Sequence, residues 1–353
     1  MKKILALLLA LTMVVALCAC GNTAKTETPA SQDSAESSVE TPAQDPIKVR
    51  IAHTGSETCL SHLAIVEIAK YMEETSNGIF EVEIFPNGTI GNDAQLVEAV
   101  QEGDIELMFT NTGNLTSFIP DLGVYAVPFV FANNEEAYAV LDGQFGQDML
   151  NTVTEKGNMV GLGYLEAVAF RELSADREIH TPADLNGVKI RVMTNPLHMA
   201  IWEALGAQPT PISFAELYTS LQQGTVNAQE NPVELFISQA FYEVQPYLTL
   251  TNHVFTTGMF AANTDWFNAL TPELQQILRD ATKKGVEYQR TAAAEQWDGW
   301  MQFLSDNDIT VVELTDEQHQ EWVDAAAPSV DVIREEVGSE LVDALYAAVE
   351  AIR

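Results

Sequence analysis

Arg191 is a cation in apolar surroundings. It stands in Lys189-Ile190-Arg191-Val192, a strand pattern, in a chain that carries 17 Lys plus Arg against 51 Asp plus Glu. Burying an unpaired guanidinium costs several kcal/mol, and its planar fork of donors matches a carboxylate at two points. Either an internal acid or an acidic ligand has to satisfy it. Motifs for other chemistries are missing: there is no Gly-x-Ser-x-Gly elbow, no His-Glu-x-x-His pair and no phosphate-binding loop. Gly161-Leu162-Gly163 continues with Glu166 where a dinucleotide fingerprint needs a small residue. His53, His62, His180, His198, His253 and His319 show no metal-ligand spacing, so neither a metal nor a cofactor is expected, and no catalytic residue is assigned.

The elements that must position Arg191 alternate between strand and helix. Ile47 to His53 reads as a strand, Leu60 to Thr75 as a helix closed by Asn77-Gly78, and Phe80 to Phe85 as a strand that stops at Pro86-Asn87-Gly88. A helix from Asp93 to Gln101 and a strand from Ile105 to Thr110 complete a βαβαβ order. Right-handed crossovers then gather the loops carrying His53-Thr54, Gly91-Asn92-Asp93 and Thr110-Asn111-Thr112 at one sheet edge. Val127 to Phe131 is expected to be extended. Helices are expected at Glu135 to Leu141, Gly146 to Lys156, Pro196 to Leu205 and Phe214 to Gln223, the last with a Ser213 and Glu216 capping box. Strands are expected at Met159 to Leu165, Val188 to Met193 and Ile309 to Val312. From Thr271-Pro272 a helical pattern runs to about Asp306, roughly 50 Å at 1.5 Å per residue, long enough to run along two domains. Helices from Glu317 to Ala326 and from about Val330 to Ile352 close the chain.

The ends and the charge bound the class. Met1-Lys2-Lys3 followed by an apolar run to Leu17 is a secretory signal, too short for a stable membrane span. Its ending, Leu17-Cys18-Ala19-Cys20, resembles the bacterial lipobox, which implies cleavage before Cys20 and lipid attachment to its sulfur. Residues 20–45 hold Thr, Ser, Ala, Gln, Glu and Pro and read as a disordered tether. The formal charge of −34 argues against nucleic acid and anionic lipid surfaces as partners. It leaves room for a small anion, because salt screens distant charges beyond about 8–10 Å.

The stretch from Val188 to Phe255 contains, in order, a Lys-Ile-Arg-Val strand, Leu205-Gly206-Ala207 with Pro209-Thr210-Pro211, Glu216-x-Tyr218, Leu221-Gln222-Gln223-Gly224, and Gln229-Glu230-Asn231-Pro232. Tyr242-Glu243-Val244-Gln245 and Thr251-Asn252-His253 follow. Together they resemble the dicarboxylate-binding (DctP) type of solute-binding subunit of tripartite ATP-independent periplasmic (TRAP) transporters. Phe85-Pro86, Ile90-Gly91, Glu102-Gly103-Asp104-Ile105 and Val127-Pro128-Phe129-Val130-Phe131 extend the likeness over 47–353. Asn227-Ala228 departs from the family's Asp-Gly at that point. The resemblance implies an α/β, two-domain Venus-flytrap fold with a long helix spanning both domains, divided as 46–168 with 257–296 and 169–256 with 297–353, after a signal at 1–19.

The resemblance also implies function: capture of a small organic acid, such as a C4-dicarboxylate, a 2-oxo acid or a uronate, and delivery to small and large membrane subunits driven by an ion gradient. The protein would be extracytoplasmic and held to the outer face of the cell membrane by the lipid on Cys20. It implies that Arg191 pairs with the ligand carboxylate, that Arg171 is a second cleft arginine, that Asn231 adds an amide and that Phe214 packs along the ligand. Thr54, Asp93 and Asn111 match cleft-facing positions of the first domain, and His198 lies on a helix near the cleft. Structural roles compete at each: an internal ion pair for either arginine, a helix cap for Asn231, core packing for Phe214 and for His198. Glu230 is expected to pair internally, since it would repel an anion. A surface sensor presenting its acid to a membrane receptor is the alternative function.

Overall fold

The computed structural model describes residues 45–165 and 170–353. The expected signal, Cys20 and the tether up to residue 44 lie outside them. Among the described residues eleven strands run in chain order as β1 (Ile47–Ala52), β2 (Phe80–Phe85), β3 (Leu107–Asn111), β4 (Met159–Tyr164), β5 (Phe170–Ala175), β6 (Lys189–Val192), β7 (Gln208–Pro211), β8 (Ala228–Asn231), β9 (Tyr247–Phe255), β10 (Gly258–Asn263) and β11 (Thr310–Glu313). They form two sheets, ordered β2-β1-β3-β10-β4 and β11-β9-β5-β8-β6-β7. β1 runs parallel to β2 and β3, with β10 antiparallel between β3 and β4. In the second sheet β6 is parallel to β7 and β8, and β5 is antiparallel to β8 and β9. The chain therefore changes sheets after Tyr164, after Phe255 and again along the helix Pro272–Asp306, which gives two α/β lobes joined by several crossings. Gly258 sits where two crossings touch: its carbonyl accepts the Leu165 N–H at 3.0 Å, and a Cβ there would run into the Leu165 carbonyl and the Phe109 ring.

Local sequence explains the elements that carry the site. In the helix Leu60–Thr75 the buried residues Leu60, Ala64, Ile65, Ile68, Ala69 and Met72 repeat at helical spacing, so one face packs inward. That face meets the long helix Pro272–Asp306 at Gly285, where an added Cβ would lie 2.6 Å from Ile68 side-chain carbons. The interior glycine is a packing requirement between the two helices. The long helix starts with Thr271 accepting the Leu274 N–H and with proline in its first turn, where a missing N–H costs no hydrogen bond. The helix Asp93–Glu102 is fixed by a reciprocal cap: Asn92 Oδ1 accepts the Gln95 N–H at 3.1 Å, and Gln95 Oε1 accepts the Asn92 N–H at 2.9 Å. This cap holds Asp93 in the first turn, beyond the end of β2. Cys59 precedes the helix Leu60–Thr75 as a fully buried residue that offers no side-chain cap.

Three expectations about local structure are corrected, and several strands are added. Val127 to Phe131 forms no strand: Phe129 has φ +57°, and its N–H goes to the His253 carbonyl at 2.8 Å. The Ser213 capping box does not form, because Ser213 Oγ bonds to Glu216 Oε2 at 2.9 Å; the segment begins as a 3-10 turn, Phe214–Glu216, before the α-helix Leu217–Gln222. The C-terminal break falls at Gly338, φ +91°, and Pro328 is accommodated inside the helix Asp316–Val337, with Ser339–Glu350 following. Finally, β5, β7, β8, β9 and β10 were not evident from periodicity. β7 is Gln-Pro-Thr-Pro and β8 is Ala-Gln-Glu-Asn, compositions that read as loop until their partners are known.

Candidate functional site

The two sheets point loop-bearing edges at each other across a cavity of about 60 Å³. Thr54 follows β1, Asp93 follows β2 and Asn111 ends β3, so the βαβ order delivers all three to one wall. The facing wall comes from the second sheet: Arg171 on β5, Arg191 on β6, Phe214 just past β7 and Asn231 at the end of β8. These seven residues line the same cavity. His198 does not line it. It lies behind the wall, buried, with Nδ1 3.8 Å from Glu230 Oε1.

The two arginines are equally buried, each 2% exposed, and satisfied very differently. Arg171 forms a two-point ion pair with the fully buried Glu230, through Nε to Oε2 and through Nη2 to Oε1 at 2.9 Å. Its Nη2 also reaches the Glu230 carbonyl at 2.5 Å and Asn231 Oδ1 at 3.1 Å. Behind Glu230, His253 Nε2 lies 3.2 Å from Oε2, and Thr251 Oγ1 lies 2.8 Å from His253 Nδ1. Burial alone would raise the Glu230 carboxyl; the Arg171 charge, the hydrogen bond with His253 and the nearby His198 ring outweigh it and hold the group well below the ordinary range. Burial lowers His253. The geometry matches a neutral imidazole that donates from Nε2 and accepts at Nδ1.

Arg191 has no such partner. Its Nε donates to the Ile212 carbonyl at 2.9 Å, and its Nη1 is buried without a hydrogen bond. The guanidinium carbon stands 5.9 Å from the Phe214 ring centre, within range of a cation–π contact. Burial pushes Arg191 down to about 10; Glu230 acts against this, Arg171 adds to it, and Asp93 across the cavity also acts against it. The group stays a cation at neutral pH and keeps an unspent donor on a residue that lines the cavity. Asn231 is set beside it by its own bonds: Oδ1 accepts from Arg171, and Nδ2 donates to Gln229 Oε1 at 2.6 Å. An amide nitrogen carries two hydrogens, which leaves one for a ligand.

The opposite wall is built from acceptors and hydroxyls. Asp93 Oδ1 accepts from Thr54 Oγ1 at 3.1 Å and from Thr110 Oγ1 at 2.7 Å, and Asn114 Nδ2 donates to Thr110 Oγ1 at 3.2 Å. Asn111 Oδ1 turns back to the Gly113 N–H at 2.8 Å.

Residues 51–336 match the family described as bacterial extracellular solute-binding protein, family 7 (DctP). The chain belongs to that family. A solute-binding protein of Verminephrobacter eiseniae is 36% identical over 281 residues, which cover 79% of this chain and 83% of the relative. The 2,3-diketo-L-gulonate-binding periplasmic protein YiaO of Escherichia coli is 31% identical over 283 residues, 80% of this chain and 85% of the relative. The sugar acid binding protein DctPAm of Advenella mimigardefordensis, solved in complex with galactonate, has a TM-score of 0.84 at 32% identity and covers 87% of this chain and 99% of its own. The two lobes and the long helix are thus the two-domain binding-protein architecture of family 7.

In this family 7 chain Asn114, Met193 and Thr256, which the sequence reading did not mark, also line the cavity, as does Thr110, expected at the sheet edge but without a site role. Thr110 and Asn114 flank the predicted Asn111 and could have been found from helical and strand spacing around it. The lobes also meet at Glu234, whose Oε1 accepts the Leu60 N–H at 3.1 Å and so caps a first-lobe helix from the second lobe. Among the described residues no cluster of His, Cys, Asp or Glu is placed to hold a metal.

Proposed function

We propose that the protein captures a small organic acid outside the cell membrane by its carboxylate, and delivers it to the small and large membrane subunits of a TRAP transporter. The observation that carries the reading is the buried Arg191 Nη1 without a partner, on a residue that lines the cavity between the two lobes. Arg171 is already neutralised by Glu230, so Arg191 is the charge left for the ligand. Arg191 Nη1 and the free Asn231 N–H receive the carboxylate, Phe214 covers it, and Thr54, Asp93 and Asn111 contact the remainder. His198 acts behind the wall, through Glu230. The two relatives named for their ligands, a diketogulonate-binding and a galactonate-bound protein, both take acids, which supports the same class here. A lipid on Cys20 keeps the protein at the outer face of the membrane.

Carboxylate capture supplies closure energy where it is needed. Shifting a two-state equilibrium from 1:99 to 99:1 takes about 5.5 kcal/mol of preference for one state. Relieving the desolvated guanidinium in the closed cleft and forming charge-assisted hydrogen bonds of about 1.5–3 kcal/mol each reaches that range. The test is a thermal-shift comparison of organic acids with their uncharged counterparts, galactonate against galactitol among them, in the native protein and in Arg191→Lys. Acids should stabilise the native protein, polyols should not, and the lysine variant should lose at least tenfold in affinity by calorimetry. Equal affinity of the two proteins for a stabilising acid would remove Arg191 from the role.

A further inference from the structure

The cavity does not end at Arg191. A second space of about 260 Å³ adjoins it and shares Asp93, Asn114, Arg191 and Phe214 with the first. The character of the lining changes from one to the other. Besides Arg191 the second space has no cation; its polar residues are Asn92, Asn114, Ser117, Thr194 and Ser213, together with the acid Asp93. A ligand whose carboxylate is held at Arg191 therefore sends the rest of its chain past amides, hydroxyls and one acid.

Asp93 is presented for that role. Its Oδ1 is occupied by two donated hydrogen bonds, from Thr54 Oγ1 and Thr110 Oγ1. These fix the carboxyl rotamer from two directions, and the capped start of the helix Asp93–Glu102 fixes its backbone. Oδ2 receives no hydrogen bond from the described residues and remains as an acceptor toward the cleft. An oriented acceptor beside neutral polar groups suits a hydroxyl donor. The same carboxylate meets a second ligand carboxylate with like charge, and the one cation shared by the two spaces, Arg191, is already engaged by the first carboxylate; unpaired like charges in a desolvated site are strongly disfavoured.

We infer that Asp93 selects polyhydroxy monocarboxylates, of the aldonate or uronate kind, and rejects dicarboxylates by accepting a ligand hydroxyl where a second carboxylate would otherwise sit. The inference rests on the reading of Arg191 as the carboxylate receptor and adds the chemistry of the ligand's other end.

The test uses matched pairs that differ in one terminal group: D-galactonate with galactarate, and D-gluconate with D-glucarate, titrated calorimetrically into the native protein, Asp93→Asn and Arg191→Lys. Asparagine keeps the Oδ1 acceptor for Thr54 and Thr110 and removes the charge. The expected result is at least one aldonate bound more than tenfold tighter than its aldarate by the native protein, with that ratio falling at least tenfold in Asp93→Asn. The native ratio needs no variant and stands whether or not Asp93→Asn folds. An aldarate bound within threefold of its aldonate, or an unchanged ratio in Asp93→Asn, overturns the selection by Asp93; if Arg191→Lys still weakens both members of the pair, the carboxylate reading survives that failure. Binding that is indifferent to Arg191→Lys overturns both.

Discussion

Replacing Glu230 with glutamine isolates the buried pair that holds one wall of the cleft. Glu230 is fully buried and Arg171 is 2% exposed, so water cannot compensate when the negative charge is removed. Breaking a buried ion pair by neutralising one partner costs about 3–5 kcal/mol. Glutamine retains one acceptor, and Arg171 Nη2 keeps the residue 230 carbonyl and Asn231 Oδ1; the loss is one charge-assisted hydrogen bond, about 1.5–3 kcal/mol, plus weakening of the other. The two routes agree on about 3 kcal/mol. Urea unfolding of the ligand-free protein at pH 7 measures it. The acid dependence gives an independent check. A carboxyl held below its unfolded value near 4.3 contributes stability that is present above that pH and lost as pH falls toward the folded value. The gap between native protein and Glu230→Gln should therefore be full at pH 7 and narrow below about pH 4. A variant within about 0.5 kcal/mol of the native protein at pH 7 would refute the argument that Arg171 depends on Glu230.

Burial raises the Glu172 carboxyl to about 8, although its Oε2 accepts the Asn252 N–H at 2.9 Å. A raised carboxyl contributes most below its unfolded value and loses that contribution as pH rises to the folded one, so Glu172→Gln should gain on the native protein between pH 5 and pH 8 by about 2–4 kcal/mol; parallel denaturation curves at the two pH values would contradict this. Gly285→Ala should lower stability by about 1 kcal/mol, because crowding against Ile68 of about 1–3 kcal/mol exceeds the gain in helix propensity of about 1 kcal/mol; a raised melting temperature would show that the two helices separate without cost.

Much of the first lobe was legible because its signals are local. The helix Leu60–Thr75 and the strand Phe80–Phe85 have the predicted bounds, each set by its own periodicity and a following turn. The same βαβ order put Thr54, Asp93 and Asn111 on one edge before any contact was known. The second lobe showed β6 and β11 in its sequence but hid β5, β7, β8 and β9 in long-range pairing. Ala228–Asn231 is fully buried yet polar, and side-chain partners far away in sequence, Arg171 and His253 at Glu230 and Ser174 at Gln229, make that burial tolerable. β10 enters the first sheet from more than 90 residues beyond β4, a placement no local pattern encodes. Apolar surroundings marked Arg191 in the sequence and the family resemblance added Arg171; the structure separates them by partner, since Glu230 satisfies Arg171 and leaves Arg191 with an unspent donor. His198 lies on the helix Pro196–Ala204, where the sequence placed it near the cleft, but its Nδ1 stands 3.8 Å from Glu230 and the residue does not line the cavity.

A crystal structure of the protein with an aldonate bound would bear on Arg191 without intermediaries. The ligand carboxylate should lie within about 3 Å of Arg191 Nη1 and Asn231 Nδ2, with Arg171 still paired to Glu230 and the hydroxylated chain running toward Asp93. A ligand whose carboxylate lies elsewhere in the cleft, with Arg191 Nη1 still bonded to nothing or only to protein, would contradict this.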